Sequence, residues 1–134
     1  SYPKCKFVRQ DEEEAKKASI SFGRTDHLFL SNRSRYQEFL RMAIEEFSIN
    51  LDLLKQTIKN GDLISFRPIN HRMKNLLHTF GMEDLLEHLE VIKERLGDKE
   101  LRLKEKRELS KSLTHHVQSL IDIMGHKLAS LKWQ

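Results

Sequence analysis

The feature that most constrains this chain is a helical repeat of apolar residues, sustained over four successive stretches and cut by glycines. From Ser34 to Lys59, residues Tyr36, Leu40, Ala43, Phe47, Leu51, Leu54 and Ile58 recur at steps of three and four. That spacing puts side chains on one face of an α-helix. Ser34 fits an N-cap region, with Glu38 in the first turn. Asn60 and Gly61 stop this stretch, and Asp62 caps the next. The second stretch runs to Phe80 on a stripe of Phe66, Ile69, Met73, Leu76, Leu77 and Phe80, and Gly81 ends it. The third, Glu83 to Leu96, turns Leu85, Leu86, Leu89 and Ile92 inward and stops at Gly97. The fourth begins within 99–108 and ends near Trp133, on Leu109, Leu113, Val117, Leu120, Met124, Leu128 and Leu131. Gly125 lies inside it at a cost of about 1 kcal/mol against alanine, without forcing a break. Short connections between the first three predict an all-α fold: an antiparallel up-down four-helix bundle over residues 33–134. Residues 1–32 show no sustained periodicity and read as an N-terminal linker or arm, with the charged run Asp11 to Lys17 suited to a short extra helix.

Composition removes several classes. A length of 134 residues points to one domain. Two prolines and five glycines are too few for a turn-rich β-sandwich or barrel. No run approaches ~18 apolar residues, so no direct membrane contact is expected. The single Cys5 excludes an intrachain disulfide and any multi-cysteine zinc site, and a reducing, cytoplasmic location is the expectation. The chain opens on Ser1, which fits a module taken from a longer protein. The net charge of +4 divides as +2 over residues 1–33, −1 over 34–97 and +3 over 98–134. Base is therefore spread over both ends, with no recognition motif or interleaved aromatics, and nucleic acid is not an expected partner. Seven histidines raise the question of a metal. None has Asp or Glu three residues before it, as di-iron bundles require. His115 and His116 point about 100° apart, and Asp84 with His88 reads as a surface pair. No metal and no cofactor is expected.

The second stretch carries the residues with chemical content. With Met73 set to zero on a helical wheel, Lys74 falls near ~100°, Arg67 near ~120°, His78 near ~140°, His71 near ~160° and Asn75 near ~200°. Two histidines and two cations thus gather opposite the core stripe, and that helix face holds no carboxylate. A solvent-facing imidazole is a nucleophile near neutral pH. On accepting a phosphoryl group it gains nearly two negative charges. Lys74 at i+3 and Arg67 at i−4 are both within reach of that charge.

These residues resemble a known signature. Gly61-Asp62, then His71-Arg72-Met73-Lys74, then Gly81 is similar to the pattern of histidine-containing phosphotransfer (HPt) domains, and Leu85 and Leu89 fit the spacing that follows. The resemblance covers about residues 33–131. It implies a four-helix bundle with the phosphorylatable histidine exposed midway along its second helix. It implies His71 as phosphoryl acceptor, Lys74 as phosphate stabiliser and Arg67 as a further phosphate contact. The partners would be receiver domains: one donates from an aspartyl phosphate and another accepts. The receiver would bring Mg²⁺, and the domain would act as a monomer with no catalytic machinery of its own. Such modules form the C-terminal part of hybrid sensor histidine kinases.

The chain departs from the pattern at several positions. Asn75 stands where the family has glycine, and Leu76 and Leu77 stand where it has small residues. Pro68 lacks the amide that would bond Ile64, which predicts a kink or a late helix start. His78 is either a second titrating group on the binding face or simply solvated. Partner contact is expected at Phe39, Met42, Arg72, Asn75 and His78. Phe39 and Met42 belong, with Ile49 and Leu53, to a second apolar row on the first helix. That row either packs under the N-terminal arm or forms an exposed docking strip. In the latter case the chain could instead be a non-catalytic adaptor or dimerisation module.

Overall fold

A computed structural model describes residues 19–132, and these are helical with no strand among them. Five helices follow in order: α1 (Gly23–Leu28), α2 (Arg33–Asn60), α3 (Leu63–Thr79), α4 (Glu83–Leu96) and α5 (Leu103–Leu131). The four long helices correspond to the four periodic stretches. Consecutive members pack on each other, and α5 packs on α2. Most of the expected stripe residues are buried, with Leu40, Phe47, Leu54, Phe66, Met73, Leu77, Leu85, Leu89, Leu113 and Met124 within 1% of complete burial, while Leu76, Leu86, Leu109 and Leu128 lie at the core's edge and are only partly buried.

The helix ends follow from side-chain and glycine chemistry. Asn32, not Ser34, caps α2; its side chain accepts the Arg35 amide at 3.0 Å. Asp62 caps α3 through Oδ1, which accepts the Ser65 amide at 3.0 Å, while Oδ2 accepts the Ser65 hydroxyl at 2.6 Å. Those bonds hold the Asp62 carboxyl below its ordinary range. Gly61 and Gly81 take φ of 62° and 59°. Each is followed by an amide that reaches back past the turn: Asp62 to the Thr57 carbonyl and Met82 to the Leu77 carbonyl, both at 2.8 Å. This is the left-handed cap that glycine adopts without a Cβ penalty. Pro68 does not delay α3, which starts at Leu63 and runs through it to Thr79. The missing bond to Ile64 falls in the second turn, and packing of Phe66 and Ile69 holds the helix there.

Residues 20–32 are more than a linker. Ile20 belongs to the buried core, and the Ser21 amide donates to the Phe80 carbonyl at 2.7 Å. Phe22 meets Phe80 edge-on at 6.2 Å. Phe29 stacks on Tyr36 at 5.1 Å and lies on Phe39 at 5.3 Å. The Tyr36 hydroxyl donates to Asp26 at 2.5 Å and shares a 2.7 Å bond with the Thr25 hydroxyl. Burial, with that bond to Asp26, pushes the Tyr36 hydroxyl well above its ordinary pKa. Lys127 of α5 closes the tie with an ion pair to Asp26 at 2.9 Å. The reason for this docking is apolar area: three residues without helical periodicity, Ile20, Phe22 and Phe29, cover the end of the core that α2 and α3 leave open. The Asp11–Lys17 run, Cys5 and Trp133 lie outside the described residues. Among the described residues no helix is long and apolar enough to cross a membrane.

Candidate functional site

α3 puts its apolar stripe inward and presents the opposite side to solvent. Arg67, His71, Arg72, Asn75 and His78 are exposed, and Lys74 is half-buried. His71 sits at the middle of the helix, directly above the buried turn of Ile69, Asn70 and Met73. The helix thus fixes the direction of the His71 side chain, with Arg67 one turn before it and Lys74 one turn after.

The surroundings correct one expectation. The face is not free of carboxylates, because two arrive from α4. Glu90 accepts the Lys93 ammonium at 2.8 Å and, through its other oxygen, the Asn70 amide at 3.5 Å. The Lys93 hydrogen bond leads in holding the Glu90 carboxyl below its ordinary range, and the charge of Lys74 adds to it. Lys74 therefore already feels an acid. At the other end, Glu83 lies 4.0 Å from His78, with both side chains exposed. A wheel drawn for α3 alone could not reveal either contact, since both acids belong to the next helix. Asn70 was also missed. It is 3% exposed, and it anchors Glu90 beneath the face that bears His71.

The second apolar row of α2 divides. Phe39 is not a free docking residue, because its ring lies between Phe29 and Phe80, at 5.3 and 5.8 Å. The arm covers it. Met42, Ile49 and Leu53 remain 42%, 52% and 43% exposed. Ile49 and Leu53, with Glu46, Asn50 and Arg72, line a shallow depression between α2 and α3. The apolar row thus runs up to Arg72, the residue after His71. The sequence signal for this was the α2–α3 turn at Gly61, which sets the two helices side by side.

Among the described residues no cluster of three or more histidine, cysteine or acidic side chains is placed to hold a metal. Asp84 and His88 do not form the expected pair. His88 instead faces His116 of α5, with their Nδ1 atoms 2.9 Å apart and the rings stacked at 5.2 Å. The Ser112 hydroxyl lies 3.4 Å from the other ring nitrogen of His88. One imidazole of the pair must donate and the other accept. Burial lowers the pKa of both, and the charge of each neighbouring histidine lowers His116 further against the opposing pull of Asp84. His115 points away from this pair, exposed toward α2.

The chain was compared with family models, with curated proteins and with solved structures, and none of the three comparisons returned a match.

Proposed function

We propose that the chain is a histidine phosphotransfer module: an antiparallel up-down four-helix bundle of α2–α5 that carries a phosphoryl group on His71 between receiver domains. The observation that carries this reading is the exposure of His71 at the centre of α3, with Arg67 and Lys74 one turn to either side. In the reaction, the neutral imidazole attacks the phosphorus of an aspartyl phosphate in line. A nitrogen–phosphorus bond forms, the bond from phosphorus to the aspartate oxygen breaks, and the carboxylate leaves. The imidazole then sheds its remaining ring proton to solvent or keeps it, according to pH. Receiver-bound Mg²⁺ supplies the stabilisation that phosphoryl transfer needs. Arg67 and Lys74 hold the three phosphoryl oxygens by charge-assisted hydrogen bonds. Glu90 of α4, which the charge of Lys74 reaches, is ion-paired to Lys93 and leaves the Lys74 ammonium available to the phosphoryl group. Ile49 and Leu53, beside Arg72, offer apolar area for the receiver to bury.

The test is transfer of label from a phosphorylated receiver domain. The wild-type chain takes up acid-labile, base-stable label and His71→Gln takes up none. Lys74→Ala folds normally and transfers on the order of tenfold more slowly, in line with the loss of one charge-assisted hydrogen bond. Label that persists in His71→Gln and disappears in His78→Gln moves the acceptor by two turns. Absence of labelling across a panel of receivers favours the adaptor reading, in which Met42, Ile49 and Leu53 form the working surface.

A further inference from the structure

A second surface lies on the other flank of α2, where it meets α5. Asp52, Lys55, Gln56 and Lys59 turn toward α5, whereas Ile49 and Leu53 turn toward Arg72 on α3. The groove between α2 and α5 has a volume of about 970 Å³. Five cations line it: Lys55, Lys59, Lys106, Arg107 and Lys111, against the single acid Asp52. None of the five has a carboxylate partner among the described residues. Here is where the excess positive charge of the C-terminal segment is spent, and the His71 face does not use it.

We propose that this groove docks an acidic amphipathic helix of a partner protein. Charge fixes the sign of the occupant, and the walls fix its class. Leu103 is 58% exposed at one end of the groove, and the aliphatic stems of the lysines continue the apolar surface beneath their ammonium groups. A ligand recognised by charge alone leaves that surface wet. Among the described residues no Phe, Tyr or Trp lines the groove, so they give it no stacking platform of the kind single-stranded nucleic acid uses. Its α5 wall, from Leu103 to Gln118, extends roughly 22 Å at the helical rise, about four turns of a second helix lying alongside. Helix-in-groove recognition pairs an apolar stripe with charged flanks; here Leu103 and the lysine stems meet the stripe and the five cations meet the flanks. Opposite charge on the rims speeds encounter and sets orientation.

The experiment uses the full chain and a fluorescent synthetic peptide of about 14 residues, with leucines on one helical stripe and glutamates on both sides of it. Anisotropy should show saturable binding that weakens with salt. Lys55→Glu/Arg107→Glu/Lys111→Glu, with an unchanged circular dichroism spectrum, should lose about tenfold or more in affinity. Leu103→Ser should lose several-fold. His71→Gln should bind as the wild type does, which keeps this result separate from that of the phosphotransfer test. Equal binding of a peptide with the stripe scrambled, of polyglutamate or of a single-stranded oligonucleotide overturns the proposal in favour of a general polyanion site. Unchanged affinity in the triple variant overturns it outright. So does self-association in sedimentation that the triple variant abolishes, because the occupant is then a second copy of this chain.

Discussion

At the scale of single residues, the most consequential pair outside the His71 face is His88 and His116. Each imidazole loses solvent on docking α4 against α5, and a 2.9 Å contact between their Nδ1 atoms cannot hold two protons. Both pKa values are lowered in the folded chain from an ordinary value near ~6.5. The folded state therefore binds fewer protons than the unfolded state as pH falls past that value. The sign follows: the pair's contribution to stability is intact above about pH 6.5 and is lost as pH falls through the lowered values. Urea unfolding measured between pH 8 and pH 5 should show the midpoint falling on the acid side. His88→Leu/His116→Leu should flatten that slope, and an equally steep slope in the double variant assigns the effect to other groups. The charges that reach His116 besides that of His88 are Asp84, which raises its pKa, and His115, which lowers it although its ring points toward α2.

At the scale of elements, three glycines separate cost from benefit. Gly81 has φ of 59°, and a Cβ there would sit 3.3 Å from the Ser21 Cβ. Gly81→Ala should destabilise by ~1–2 kcal/mol from the left-handed backbone alone. Gly61 has the same backbone, but a Cβ there would meet only the mobile end of Lys106. Gly125 lies inside α5 with open space around it, and Gly125→Ala should stabilise by about 1 kcal/mol. Chemical denaturation of the three variants checks the order: Gly125→Ala most stable, Gly81→Ala least. The long helices were legible because each carries its own stripe, Leu40-Phe47-Leu54 or Phe66-Met73-Leu77, and each stripe is a local pattern. The exposure of His71 was legible for the same reason, since a wheel needs only one helix. What faces what across helices was not. Glu90 beside Lys74 and His88 against His116 depend on the rotation of one helix relative to another, which no spacing within a helix records. Phe29 over Phe39 was hidden differently. The segment around it has no period, so its apolar residues announced no element and no docking position.

At the scale of the whole molecule, α2 is shared between two surfaces of different character: apolar row and arginine toward α3, cations toward α5. The other organising contact is at Phe80, where the ends of several elements meet. Its carbonyl accepts the Ser21 amide, and its ring packs with Phe22, Phe39 and Phe47. The stripes of α2 and α3 join through a tight turn, but Ser21 and Phe22 reach Phe80 only after the chain has doubled back over all of α2 and α3. Closing that loop carries an entropic cost, so the contact of Ser21 and Phe22 with Phe80 is expected to form after α2 and α3 have joined. Late formation would give the arm a kinetic role distinct from its share of the equilibrium. Phe22→Ala should leave the refolding rate nearly unchanged and should raise the unfolding rate, by about tenfold for each ~1.4 kcal/mol of packing removed. Stopped-flow chevrons read both limbs at once, and slowed refolding in Phe22→Ala would place the arm in the nucleus instead. On the expected outcome residues 20–32 act as a latch: they set how long the folded chain lasts and leave the speed of its formation to the helices.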